Sequence, residues 1–316
     1  MKKVIAILLI LCMLLPLLFG CGENKAKYNI GICQLVTHPA LDDATQGFMD
    51  ALIQELGKEN LYFDVQNAAN DSANCALIAN SFVSKGYDLI LANATAALQA
   101  AANATEDIPV LGTSITEYGV ALELDNFNGL VGTNVSGTSD LAPLDLQAQM
   151  ILDWYPEAKK IGLLYCASEP NSLYQVTEVK KYLENKNLTV NMFPFADSND
   201  LPSITQNAAS WSDVIYVPTD NTVASSTGII DGICRPAKVP VIAGEENTCK
   251  GCGVATLSIS YYDLGVTTGK MAAKILKGEA DISEMKIEYT TATPKYNAEI
   301  CQALGKEPVE GYEAMD

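Results

Sequence analysis

The chain has 316 residues, 48% of them hydrophobic and 18% charged, a balance that supports two folded domains and excludes a disordered or collagen-like chain. Against 20 Lys and Arg stand 38 Asp and Glu, and the resulting net charge of −18 argues against nucleic-acid binding, because phosphate contacts need a basic stripe. His38 is the only histidine, so no histidine-rich metal cage can be assembled.

Met1, Lys2 and Lys3 precede an apolar run over residues 4–19 that is interrupted only by Cys12 and Pro16 and is short for a membrane span. It reads as a signal peptide. The run ends in Leu18-Phe19-Gly20-Cys21, which resembles a bacterial lipobox, and predicts a signal over residues 1–20, lipid on Cys21 and a polar tether over residues 21–27. Ordinary signal cleavage beside an incidental Cys is the plainer alternative. Two or three acyl chains anchor stably where one does not, each buried CH₂ contributing about 0.8 kcal/mol. The expected location is the outer face of the cytoplasmic membrane.

From Tyr28 the pattern alternates between short apolar strands and helical spacing. A strand over residues 28–35 precedes Leu41, Ala44, Phe48, Leu52 and Leu56 on one helix face. Strands near residues 62–66 and 88–92, helices near 73–84 and 96–104, and a strand at 109–112 continue the series. The pattern restarts with a strand over residues 160–165, and Ser172 to Gln175 fits a capping box before Val176, Val179 and Leu183. Strands at 190–195, 214–218 and 240–244 then alternate with helices at 204–211 and 223–234. Such alternation implies parallel pairing with right-handed crossovers, hence an α/β fold with two doubly wound parallel-sheet lobes. Residues 130–139, 253–260 and 289–294 are the expected crossings. A helix over 262–277, with Leu264, Thr268, Met271 and Ile275 on one face, returns to the first lobe. Lobe I is expected over 28–136 plus about 259–285, and lobe II over 137–258 plus about 286–316, the last stretch packing across the back.

With Cys12 and Cys21 set aside, seven cysteines remain. Cys33, Cys75, Cys166 and Cys234 lie in apolar stretches and read as small hydrophobes. Cys249 and Cys252 form a C-x-x-C with three open readings: a local disulfide, two free thiols, or half a metal site whose only further ligands are the isolated Cys234 and Cys301.

In parallel α/β sheets ligands bind beyond the carboxyl ends of the strands. The loops there are polar, and they supply the candidate ligand-binding residues Gln34, His38, Thr95, Thr113, Ser114, Ser139, Asn171, Ser172, Asp220, Asn221 and Glu245. Several stand at expected helix N-termini, where free N–H groups favour an anion, although the same residue types are ordinary caps and turn formers. His38, before Pro39, either touches the ligand or fixes its loop. There is no G-x-S-x-G elbow, no H-E-x-x-H and no phosphate-binding glycine loop, so no catalytic residue, metal or cofactor is assigned.

Five segments, Ile30 to Asp42, Val131 to Asp140, Ile215 to Thr222, Val241 to Glu246 and Tyr261 to Lys274, resemble the substrate-binding lipoproteins of ABC importers. The resemblance is to the group of type I periplasmic-binding-protein fold that includes tryptophan- and tyrosine-binding members. It implies two lobes on a three-stranded hinge that close over a small solute, here an aromatic amino acid, then dock on a permease driven by an ATPase. A ligand sensor signalling to a membrane receptor, and an importer component for another solute, are the alternatives. An amino acid would present its carboxylate to Thr95, Thr113 and Ser114 and its ammonium to an acidic residue of the second lobe. Asp220 is the first choice and Glu245 the second, with the N-cap of the next helix as the competing role of Asp220.

Overall fold

The structure, a computed structural model, describes residues 26–315. The signal run and the lipidation expected at Cys21 lie outside these residues. Among the described residues no helix is long and apolar enough to cross a membrane.

The first lobe opens with β1 (Tyr28–Gln34), α1 (Pro39–Leu56), β2 (Leu61–Asn67), α2 (Ser72–Lys85), β3 (Leu89–Asn93), α3 (Thr95–Ala104), β4 (Val110–Ile115), α4 (Tyr118–Ala121) and β5 (Val135–Ser139). The second follows with α5 (Leu144–Trp154), β6 (Lys160–Cys166), α6 (Pro170–Asn185), β7 (Thr189–Phe195), α7 (Leu201–Trp211), β8 (Val214–Val217), α8 (Asn221–Ala224), α9 (Thr227–Ala237), β9 (Val241–Ala243), α10 (Glu246–Cys252) and β10 (Ala255–Ser258). The chain ends with α11 (Tyr261–Lys277), β11 (Glu288–Tyr289), β12 (Thr293–Tyr296), α12 (Ala298–Leu304) and β13 (Glu313–Ala314).

Two sheets result, ordered β11-β5-β4-β3-β1-β2 and β13-β12-β10-β9-β8-β6-β7. Among these strands only β10 and β12 pair antiparallel. The central strands β3 and β4 are buried at every position, as expected of parallel strands covered by helices on both faces. One face of the first sheet, with Ile30, Ile32, Leu89, Leu91 and Leu111, packs under Phe48 and Leu52 of α1 and Met271 to Ala273 of α11.

Small residues let those two helices meet closely. A Cβ on Gly265 would stand 2.0 Å from the Ala44 carbonyl oxygen, and one on Gly47 would stand 2.2 Å from the Tyr262 carbonyl oxygen. The expected return of this helix to the first lobe is therefore met by backbone-to-backbone packing.

Several boundaries differ from expectation. β5 pairs with β4 through Ser139, so residues 137–139 stay with the first sheet beyond the expected limit at 136. Glu288 and Tyr289 pair with Thr138 and Ser139, which carries the first sheet past residue 285. The chain thus passes between lobes at 140–143, 259–260 and 290–292. Residues 293–314 add two strands to the second sheet rather than lying across the back, because β12 finds the open edge of β10. The capping box at Ser172 is not formed: Pro170, whose ring presets helical φ, starts α6 two residues earlier, and Gln175 turns its amide to the carbonyl oxygens of Asn171 and Thr219. The single helix expected over 223–234 is broken after Ala224, where Asp220 caps a separate short turn.

Candidate functional site

In each lobe the first strand lies between the second and the third, so the strand order reverses there, and the loops that follow β1, β4, β6, β8 and β9 converge at the carboxyl ends. Residues of both lobes enclose a narrow cavity at this point. Its lining includes His38, Ser114, Thr116 and Asp140 on one side and Asn171, Thr219, Asp220, Asn221 and Glu245 on the other, with Tyr261 at the second crossing. A wider hollow of about 720 Å³, lined by Gln99, Asn103, Leu122 and Val131, belongs to the first lobe alone and opens to solvent at the amino end of β5.

His38 precedes Pro39 at the start of α1 and is 6% exposed. Its Nε2 lies 3.3 Å from Asn221 Oδ1 across the cleft. Asn221 Nδ2 donates to Glu169 Oε2 at 2.8 Å, which turns Oδ1 toward the histidine and makes His38 Nε2 the donor. Burial lowers the pKa of His38 against the opposing pull of Asn221 and Glu169, so the ring is neutral and Nδ1 is an acceptor. That nitrogen has no partner among the described residues.

Two more polar atoms of the lining are unpartnered: Ser114 Oγ and Asp140 Oδ1. Ser114 sits in the left-handed region at φ 57°, at the end of β4 where that strand's register with β5 shifts. Asp140, the first residue after β5, accepts the Tyr261 hydroxyl on Oδ2 at 2.9 Å. Burial raises its pKa to about 6, partly offset by the Tyr261 and Thr116 hydroxyls.

The acidic residues of the second lobe are differently occupied. Asp220 Oδ1 accepts from Val223 N at 3.0 Å and Oδ2 from Cys166 N at 2.7 Å, so the side chain serves as the N-cap of α8. Burial raises its pKa, and the neighbouring Glu169 charge raises it further. Glu169 itself receives Thr222 N and Oγ1 on Oε1, at 2.9 and 2.8 Å, and Asn221 N and Nδ2 on Oε2. Glu245 caps α10 by accepting from Asn247 N and Thr248 N, and burial raises its pKa as well.

Of the residues singled out in the sequence, His38, Ser114, Asn171, Asp220, Asn221 and Glu245 line this cavity. Gln34, Thr95, Thr113, Ser139 and Ser172 do not. Gln34 donates to Asp42 and accepts from Thr45, holding the start of α1. Thr95 is buried as the first residue of α3. Thr113 Oγ1 accepts from Thr138, which is bonded in turn to Thr268 of α11. Ser139 donates to the Thr116 carbonyl oxygen, and Ser172 is buried near the Thr219 carbonyl oxygen. Asp140, Tyr261 and Glu169 were not singled out, although Asp140 and Tyr261 belong to segments that carry the family resemblance. Cys249 and Cys252 are buried free thiols on α10, which resolves the C-x-x-C in favour of two unpaired cysteines.

A family model described as ABC transporter substrate binding protein matches residues 29–296. A tyrosine-binding protein of Clostridioides difficile is 36% identical over 298 residues, covering 88% of this chain and 85% of its own length. A solved ABC domain from Streptococcus pneumoniae in complex with L-Trp is 34% identical, with a TM-score of 0.86 over 92% of this chain and 100% of that one. A ligand-free, open substrate-binding protein with adhesive properties from Clostridium difficile is 39% identical but superposes with a TM-score of only 0.70, over 92% of this chain and 99% of that one. The better sequence match gives the poorer superposition, as expected when one chain is open and the other has its lobes together.

Proposed function

The chain belongs to the ABC transporter substrate binding protein family, and on that premise we propose that it is the extracytoplasmic, lipid-anchored capture subunit of an ABC importer whose ligand is an aromatic amino acid. The observation that carries the reading is the cavity between the lobes, to which both contribute buried polar side chains and in which three polar atoms have no protein partner. Unpaired buried polar atoms are costly in a folded protein, and three facing one closed cleft of about 10 Å³, which must widen to admit a solute, support a polar ligand. The tyrosine-binding relative and the neighbour with L-Trp favour an aromatic amino acid. His38, Ser114, Asn171, Asp220, Asn221 and Glu245 are the proposed lining.

Contacts from both lobes to one molecule favour the closed arrangement, and release into a permease requires the lobes to part. The permease and its ATPase are the expected partners, and Cys21 is the proposed lipid attachment point. Calorimetric titration with L-tyrosine, L-tryptophan and L-phenylalanine tests the substrate class. Saturable binding of at least one, together with a smaller radius of gyration in solution scattering, is expected. Failure to bind any of the three would overturn the amino-acid reading.

A further inference from the structure

We propose that Asp140, together with His38 Nδ1, accepts the ammonium group of the bound amino acid, while Ser114 Oγ donates to its carboxylate. The assignment rests on the amino-acid reading above and identifies which buried charge recognises the amine. Three acidic side chains line the cavity: Asp140, Asp220 and Glu245. Asp220 has one backbone N–H on each carboxylate oxygen, and Glu245 likewise, so both are engaged in holding helix starts. Among the described residues Asp140 Oδ1 has no hydrogen-bond partner by geometry, while Oδ2 is fixed by Tyr261 and the Thr116 hydroxyl is the other donor beside the carboxylate.

The second acceptor follows from the hydrogen-bond chain. Glu169 orients Asn221, Asn221 fixes the histidine tautomer, and His38 Nδ1 is left with a lone pair and no donor. Two acceptors on one cavity call for a group with several N–H bonds, which an ammonium has and a carboxylate or a hydroxyl lacks. Ser114, an uncharged donor, suits the carboxylate without repelling the ammonium. Asp140 lies at the first crossing between the lobes and Tyr261 just after the second. The ammonium partner is therefore positioned by a bond from the start of α11 to the residue that follows β5.

The test compares wild type with Asp140→Asn and Ser114→Ala in calorimetric titrations with L-tryptophan and with indole-3-propionate, which lacks only the amine. Wild type should bind L-tryptophan at least ~30-fold more tightly than indole-3-propionate, the ratio expected for a desolvated charge pair. Asp140→Asn keeps an acceptor for Tyr261 and should erase most of that ratio, the loss falling on L-tryptophan and not on indole-3-propionate. Ser114→Ala should weaken both ligands by similar factors. Equal wild-type affinity for the two ligands overturns the assignment without recourse to any variant. An Asp140→Asn loss shared equally by both ligands also overturns it, since that marks a structural role. If wild type binds indole-3-propionate and L-tryptophan but Asp140→Asn keeps the full ratio, the ammonium partner lies elsewhere and the amino-acid reading stands. If wild type binds no aromatic amino acid, that reading fails first and the assignment with it.

Discussion

Asn70 donates its side-chain amide to Thr222 Oγ1 at 3.1 Å, joining the loop after β2 to the start of α8 on the opposite lobe. With the His38–Asn221 bond it forms a pair of direct side-chain links across the cleft. The acceptor, Thr222, is itself held by Glu169, so the link meets a prepositioned hydroxyl.

Asn70 adopts φ 61°, a left-handed conformation that glycine accepts without strain. Asn70→Gly therefore removes the amide with little backbone penalty. The loss of one neutral hydrogen bond, about 1 kcal/mol, should lower ligand affinity about fivefold by weakening the closed state. Scattering of the ligand-free variant should shift to a larger radius of gyration, and an unchanged radius and affinity would show that the link does not contribute to closure.

The buried carboxyls contribute stability that falls as pH rises, against the buried His38, whose lowered pKa makes its own contribution rise with pH over the same range. A carboxyl whose pKa is raised on folding binds its proton more tightly in the folded chain, so its contribution is complete below the unfolded value and is lost as pH passes the folded one. For Asp140 the window runs from the ordinary value of 3.8 to about 6 and is worth on the order of 3 kcal/mol. Asp220, also raised, extends the decline to higher pH. In thermal melts the midpoint of Asp140→Asn relative to wild type should rise between pH 5 and pH 7, and a difference that stays constant over this interval would contradict the burial of Asp140 as an acid.

Gly265→Val should destabilise the first lobe where α11 meets α1. The added side chain meets the Ala44 carbonyl, a backbone group that cannot swing away. Overpacking of this kind costs about 1–3 kcal/mol and occasionally more. Hydrogen exchange should show the loss in α1 and α11, with protection in β6 and β8 retained.

Cys21→Ala should abolish incorporation of a fatty-acid analogue in growing cells and release the protein or leave its signal attached. Equal labelling of wild type and variant would remove the lipid anchor from the proposed function.

The alternation of strands and helices was legible because short continuous apolar runs such as Leu89–Asn93 and helical spacing such as Leu41, Ala44, Phe48 and Leu52 are local properties of the chain. The placement of the site was legible for a topological reason, since ligands of such sheets gather beyond the strand ends. What composition could not reveal is how each polar side chain is already occupied. Gln34 and Asp220 look alike as loop-end polar residues, yet Gln34 is held by Thr45 and Asp42, and both oxygens of Asp220 by backbone N–H groups. Asp140 stands at the end of a polar loop just past the expected crossing over 130–139, one acidic residue among several. Its importance depends on Tyr261, 121 positions away, which occupies one oxygen and leaves the other. The break between α8 and α9 escaped notice because neither Pro nor Gly marks it.

The packing of α11 on α1 sets an order of assembly. As the polypeptide emerges amino end first, the strands of the first sheet appear long before the helix that shields Ile30, Ile32 and Leu91. That apolar face is covered only by α1 until the whole second lobe has been delivered. The second lobe has its five parallel strands in one uninterrupted stretch of chain and can complete them earlier, because local contacts form faster than distant ones. Exposed apolar sheet surface invites association with other chains. Truncation before residue 261 should therefore leave a nascent first lobe dependent on holding factors, and it also removes β12, β13 and α12 from the second.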